Sequence, residues 1–268
     1  MVTASMTDTQ LGHLAAELLD ARRRCQVVVP PSQRTGSFEL PDALYVLDLL
    51  TSAALADGEA VTGLKVGLTY TPTWERIGVH EPFAAPMLPS ATGVGPVMVE
   101  AFTAPRLEVE VVVSITSPLQ PGCTIEDVRD AIGTVSLGFE LVDSHYADWK
   151  ATPVDLVADF GCHAGLRTGQ PVVLSDNDLD RLDELEILLT CEGEGAVAVP
   201  GRGVDVLGGP LHAVVAALRS TCARDISAGQ LVSTGALTGR SHPIASGQRW
   251  TAEVVAGPSL PPCSLEVR

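Results

Sequence analysis

The segment Arg106-Leu107-Glu108-Val109-Glu110-Val111-Val112-Val113 constrains this chain more than any other. It opens with strict polar–apolar alternation and is rich in β-branched residues, so it reads as a strand. The period of two puts Arg106, Glu108 and Glu110 on one face, and Leu107, Val109 and Val111 on the other. Two carboxylates then stand about 7 Å apart on one strand face, in a chain whose formal charge is already −16. A third acid, Glu140, lies in the apolar run Ser136-Leu137-Gly138-Phe139-Glu140-Leu141-Val142. At about 5 Å and an effective dielectric near 20, each pair of carboxylates repels by roughly 3 kcal/mol. Three ionised carboxylates sharing a pocket therefore need a cation or a proton. An all-oxygen donor set suits Mg²⁺ or Mn²⁺. Spacing alone is equally that of two glutamates on a solvated sheet face. The expectation carried forward is that Glu108, Glu110 and Glu140 converge on one divalent ion.

The chain has 268 residues, 46% of them hydrophobic, which is ample for a full globular core. Aromatic residues make up only 4%, so Val, Leu and Ala must fill that core. The acidic balance argues against nucleic acid and anionic membrane as partners. No apolar run reaches the ~18 residues needed to span a bilayer, and residues 1–10 lack a signal-type apolar stretch. A cytoplasmic location is expected. The six cysteines are scattered with no C-x-x-C pair, which indicates reduced, buried thiols and neither a zinc site nor a disulfide framework.

In chain order, residues 9–24 have helical spacing, with Thr7 or Asp8 as cap and three arginines at the C-terminal end. A second helix starts at Pro41 and ends near Ala56. Residues 1–60 thus read as a helical lobe, and residues 61–268 as a second, larger unit. Residues 62–69 are strand-like, with Lys65 between Leu64 and Val66. Residues 70–100 are proline-rich and read as a long loop, a candidate lid. Thr124 caps a helix predicted to reach about Val135. Residues 182–190 and 196–199 read as strands joined by a hairpin turn at 192–195. A helix over 211–223 and strands over 230–234 and 250–255 complete the chain. Strands and helices mix without regular βαβ alternation, so the class is α+β.

Lys65 is either a surface lysine or, beside a metal, a general acid/base or an anchor for a substrate carboxylate. Gly201-Arg202-Gly203 lacks the third glycine of a dinucleotide site, and no P-loop or G-x-S-x-G is present. His145 and His163 flank the acidic region, where a structural place and service to the site are both open.

Several segments in order resemble one family. They are Gly63-Leu64-Lys65-Val66-Gly67-Leu68-Thr69, Arg106-Leu107-Glu108-Val109-Glu110, Glu140-Leu141-Val142-Asp143-Ser144, Ala147-Asp148-Trp149, Val157-Ala158-Asp159 and Thr234-Gly235-Ala236. Together they are similar to the 2-keto-4-pentenoate hydratase / 4-oxalocrotonate decarboxylase family of the fumarylacetoacetate hydrolase superfamily. The resemblance spans about residues 40–255. It implies a mixed β-roll core with a small helical N-terminal lobe, and a homo-oligomer. It places Mg²⁺ or Mn²⁺ on Glu108, Glu110 and Glu140, with Lys65 and Asp143 as catalytic residues. Arg106, Cys162, Thr234 and Gly235 fall at the substrate. The implied reaction is hydration of a 2-hydroxy-2,4-dienoate to a 4-hydroxy-2-oxo acid. Decarboxylation of a 4-oxalocrotonate-type 2-oxo acid is the alternative, and a non-catalytic partner subunit a third reading. Asp159-Phe160-Gly161-Cys162 stands where the family reads Asp-Asn-Ala-Ser, and Leu207-Gly208-Gly209-Pro210 where it reads Leu-Gly-His-Pro. The loop from His80 to Pro86 lacks the family's usual glycine. The metal end keeps the pattern and the reacting end departs from it.

Overall fold

The computed structural model describes residues 6–34, 37–88, 93, 95–192 and 197–268. The chain opens with the helix Asp8–Arg24. Its capping box forms because the Thr7 hydroxyl accepts the Gln10 N–H while the Gln10 side chain accepts the Thr7 N–H. A second long helix, Leu40–Ala56, packs on it through Ala43, Val46, Leu47 and Leu50. These helices do not form a closed core of their own. The same apolar cluster takes in Phe83, Ala85, Tyr146, Val157 and Phe160.

The strands are β1 (Gly63–Gly67), β2 (Phe83–Met87), β3 (Arg106–Ile115), β4 (Ile132–Val142), β5 (His163–Thr168), β6 (Glu186–Glu192), β7 (Val197–Arg202), β8 (Leu231–Ala236), β9 (His242–Pro243), β10 (Arg249–Ala256) and β11 (Cys263–Glu266). One sheet runs β2-β1-β8-β3-β4-β5, with β9 also on β3, and a second runs β11-β10-β6-β7. β1 and β8 are parallel, while β3 is antiparallel to both β8 and β4. The alternation in β3 is realised as expected. Leu107, Val109 and Val111 are fully buried and lie opposite Leu141, Phe139 and Leu137 of β4. Each such side chain contributes about 1.5–3 kcal/mol of burial. They share one core with Ile187, Leu189, Trp250 and Leu265 of the second sheet. The opposite face of β3 is left to carry the acids.

Several boundaries differ from the sequence reading. The helix after Thr124 spans only Ile125–Ala131, because Ile132, Thr134 and Val135 feed directly into β4. The region 70–100 is not all loop: it contains β2. Prolines at 82 and 86 hide that strand from a propensity reading. Pro86 is tolerated because β2 is the edge of its sheet, where a missing N–H breaks no ladder. Residues 182–184 form a 3₁₀ turn, so the strand there starts at Glu186. The last helix is Pro210–Ala217, shorter than expected. β11 was not anticipated. The turn expected at 192–195 falls largely outside the described residues.

Candidate metal centre

Sheet register assembles the site. In the order β1-β8-β3-β4, Lys65 pairs with Ser233, β8 adjoins Glu110, and Glu108 lies directly opposite Glu140. Two like charges facing each other across a ladder are unfavourable in any sheet. Here a third carboxylate joins them: Glu108, Glu110 and Glu140 each offer an oxygen, and these oxygens lie within 4.8 Å of one another. Glu110 and Glu140 are fully buried and Glu108 is half-buried.

The remaining partners fix the carboxylates and leave one edge free. Glu110 Oε2 accepts hydrogen bonds from the Ser233 hydroxyl and from the Gly235 N–H, the latter at 2.8 Å. Its other oxygen, Oε1, is buried with no hydrogen-bond partner. Glu140 Oε1 is 2.8 Å from His163 Nδ1. A carboxylate only accepts, so that nitrogen carries the proton and His163 is held as a donor to Glu140. Lys65 Nζ reaches the same carboxylate, at 3.3 Å from Oε1 and 3.4 Å from Oε2.

The electrostatics say that one lysine does not suffice. Burial, then Glu140, push Glu108 up to about 7, although Lys65 and Arg106 pull it back. Burial, then Glu140 and Glu108, hold Glu110 well above the carboxylate range. For Glu140, burial is outweighed by Lys65 and His163, and its pKa falls. Burial works against the Lys65 ammonium, but Glu140, Glu108 and Glu110 more than reverse this, so Lys65 stays charged. Without a further cation the cluster must take up protons at neutral pH. The orphaned Glu110 oxygen, the three convergent carboxylates and the all-oxygen donor set fit a hard divalent cation.

The other expected site residues meet different fates. Asp143 was expected to be catalytic. Its Oδ1 accepts the N–H of Ala104 at 2.6 Å and of Ser144 at 3.1 Å, and its Oδ2 accepts that of Thr103 at 2.9 Å. This carboxylate serves three amides and shapes the loop before β3. Thr234 is fully buried and its hydroxyl donates to the Val111 carbonyl at 2.9 Å, which ties β8 to β3. Arg106 stacks on Trp149, 4.7 Å from its ring centroid. Cys162 is buried and its thiol is pushed well up by burial, then by Asp159, so it is a neutral neighbour of Lys65, Glu140 and Glu108.

Gly235 belongs to the site through its backbone. Its φ is +116°, and a Cβ there would lie 2.2 Å from Thr69 Oγ1. Gly235→Ala is expected to lose about 2–4 kcal/mol of stability through strain and clash, and to weaken metal binding as the N–H leaves Glu110. Thermal melts and a magnesium titration of that variant check both.

Sequence reasoning missed Phe83, whose ring centroid is 5.3 Å from Lys65 Nζ. The ring is seated by two glycines: a Cβ on Gly67 or Gly161 would come within 2.3 or 2.4 Å of it. It also missed the buried pair His145–Asp159, in which Nδ1 is 2.9 Å from each carboxylate oxygen. A cavity of about 590 Å³ is lined by Phe83, Leu68, Val79 and Val157 and by none of the three glutamates. The chemistry therefore belongs to the small acidic cluster, which holds the charge, and not to the larger apolar space.

Fold and site together define a fumarylacetoacetate-hydrolase-type fold with a candidate carboxylate metal centre. Solved structures of that type at 16% identity, such as a fumarylacetoacetate hydrolase family protein from Yersinia pestis CO92, share the fold with a TM-score of 0.56 over 76% of this chain and 92% of that one. A much nearer structure is the 4-oxalocrotonate decarboxylase from Pseudomonas putida G7 complexed with magnesium and adipate, with a TM-score of 0.88 and 28% identity, covering 98% of this chain and 99% of that chain. In sequence, 2-keto-4-pentenoate hydratase 1 of Dechloromonas aromatica (strain RCB) is 30% identical over 261 residues, 95% of this chain and 96% of that protein. A 4-oxalocrotonate decarboxylase of Pseudomonas putida is 34% identical over 188 residues, 68% of this chain and 69% of its own length. No family model matches the chain. The chain belongs to the 2-keto-4-pentenoate hydratase / 4-oxalocrotonate decarboxylase family.

Proposed function

We propose that this protein is a divalent-metal-dependent lyase that hydrates a 2-hydroxy-2,4-dienoate to a 4-hydroxy-2-oxo acid. The observation that carries the reading is the meeting of three carboxylate oxygens from β3 and β4 within 4.8 Å. Glu108, Glu110 and Glu140 would hold Mg²⁺ or Mn²⁺. When bound, the ion supplies the positive charge that a substrate's 1-carboxylate and 2-oxygen seek, and draws electron density toward that end. The chain's own residues do the rest. Ser233, Gly235 and His163 keep Glu110 and Glu140 aimed inward. Lys65, charged and buried, presents N–H groups beside Glu140, where a 2-oxygen gaining negative charge meets them. Phe83 and Phe160 keep the reacting carbons dry. In the overall change the 2-hydroxyl gives up its proton as one is delivered to C5, leaving a 2-oxo-3-enoate; a water oxygen then bonds to C4 and one of its protons goes to C3.

The same reading takes residues 1–60 as a helical lobe on a β-roll metal domain of residues 61–268. It takes the protein as a cytoplasmic homo-oligomer acting on a small molecule. The lobe's sharing of one apolar cluster with Phe83 and Phe160 supports its place beside the site. Among the described residues no helix is long and apolar enough to cross a membrane.

Decarboxylation is the second reading, favoured by the similarity to 4-oxalocrotonate decarboxylase over nearly the whole chain. Loss of ultraviolet absorbance from 2-hydroxypenta-2,4-dienoate with Mg²⁺, abolished by chelator, is the expected result. Release of CO₂ from an enedioate with no water incorporated selects the second reading, and no turnover of either substrate overturns both. Lys65→Ala is expected to lower kcat by about 10²–10⁴ and to weaken magnesium binding far less. Equal losses in the two would contradict its assigned role.

A further inference from the structure

The helix Asp8–Arg24 ends in three arginines. Arg23 and Arg24 are exposed and pair with Asp57 and Asp20. Arg22 turns inward. It is half-buried, and its guanidinium carbon lies 4.8 Å from the centroid of the Phe160 ring. None of the ion pairs among the described residues includes it. The two acids that act on it most, Asp159 and Asp143, are already engaged. Both oxygens of Asp159 are bonded to His145, and those of Asp143 to the amides of Thr103, Ala104 and Ser144. A guanidinium with one face on an aromatic ring and its N–H edge uncommitted is built to hold a planar anion.

Its place relative to the glutamates follows from what lies between. Phe160–Cys162 is a tight turn whose three residues all lie in the left-handed region, with φ of 51°, 60° and 60°. Gly161 of that turn packs against the Phe83 ring, and Lys65 Nζ sits over the same ring. Arg22, the 160–162 turn, Phe83 and Lys65 therefore form a continuous wall from the N-terminal helix to the carboxylate cluster. The 160–162 turn and the stretch that carries Phe83 are among the segments where the chain departs from its family's pattern.

Resting on the function proposed above, we propose that Arg22 receives the far carboxylate of a dicarboxylic 2-oxo acid whose 1-carboxylate end lies at Glu108, Glu110 and Glu140. Within the substrate class, dicarboxylates are thus preferred over monocarboxylates. The pairing also bears on the reaction. In a 2-oxo-enedioate the carboxylate lost as CO₂ is the far one, because only its C–C bonding pair passes through the alkene toward the 2-oxo group. An arginine stabilises that carboxylate and not neutral CO₂, so it favours water addition.

Calorimetry with 2-oxoadipate and 2-oxohexanoate, equal in length and differing in the far carboxylate, tests this. The magnesium-loaded wild type is expected to bind 2-oxoadipate at least about tenfold more tightly. Arg22→Met should erase that advantage while leaving 2-oxohexanoate and magnesium affinity unchanged, and Arg22→Lys should restore part of it. No advantage in the wild type, or one that survives in Arg22→Met, overturns the role of Arg22 and leaves the metal-lyase reading standing. Failure of both acids to bind the magnesium-loaded wild type overturns that reading and this inference with it.

Discussion

Glu108→Gln is expected to yield a protein that is more stable than the wild type without metal, and inactive with it. The two effects come from one cause. Glu108 faces Glu140 directly across the β3–β4 ladder, with Glu110 beside them and Lys65 paired to Glu140. Glutamine keeps the volume and the polar contacts but removes one of the three charges. The repulsion relieved is of order 1–3 kcal/mol in a partly buried cluster. Removing a ligand from a three-carboxylate site also removes most of its pull on a dication, and activity should fall by about 10³ or more. Melting in chelator at pH 8, with turnover in magnesium, reads both. A variant less stable than the wild type in chelator would mean that the carboxylates do not repel, and that the cluster is held by something other than the absent charge.

Stability of the metal-free protein is expected to fall as pH rises from about 4.5 to 7, and magnesium should reverse the fall. The direction follows from proton counting. Glu108 titrates near 4.5 in the unfolded chain and near 7 in the fold, and Glu110 is displaced the same way. Between those values the folded protein holds protons that the unfolded chain has released, so raising pH favours unfolding. The Glu108 contribution is fully present below 4.5 and lost above 7, on the order of 3 kcal/mol, and Glu110 adds to it in the same direction. Glu140 is displaced downward and acts oppositely, but its window lies below 4.5. Because the ion binds ionised carboxylates, magnesium should raise the melting temperature more at pH 8 than at pH 5. A metal-free melting temperature that climbs through this interval would contradict the shared-pocket geometry.

The parts of this arrangement that sequence reading reached are those written in local periodicity. A period of two placed Glu108 and Glu110 on one face of β3, and Thr7 or Asp8 marked the start of the first helix. Its reach ended where register takes over. That Glu140 lies opposite Glu108, that Lys65 pairs with Ser233 across a parallel ladder, and that His163 follows Val142 into the β4–β5 pairing depend on contacts distant in the chain. Periodicity and charge left the convergence of the glutamates one of two readings, and the resemblance to a family favoured it. The bonding of Asp143 to backbone amides leaves no mark in composition. Phe83 was hidden by the prolines around it. Arg22 was hidden by two neighbours of the same type that do what a helix end asks of them.

The most direct test of the whole account is anomalous diffraction from crystals grown with Mn²⁺. One peak is expected between β3 and β4, about 2.0–2.3 Å from an oxygen of each of Glu108, Glu110 and Glu140, with Lys65 alongside and unligated. Crystals in which these three carboxylates share a proton, or turn apart with the manganese bound elsewhere or nowhere, would contradict it.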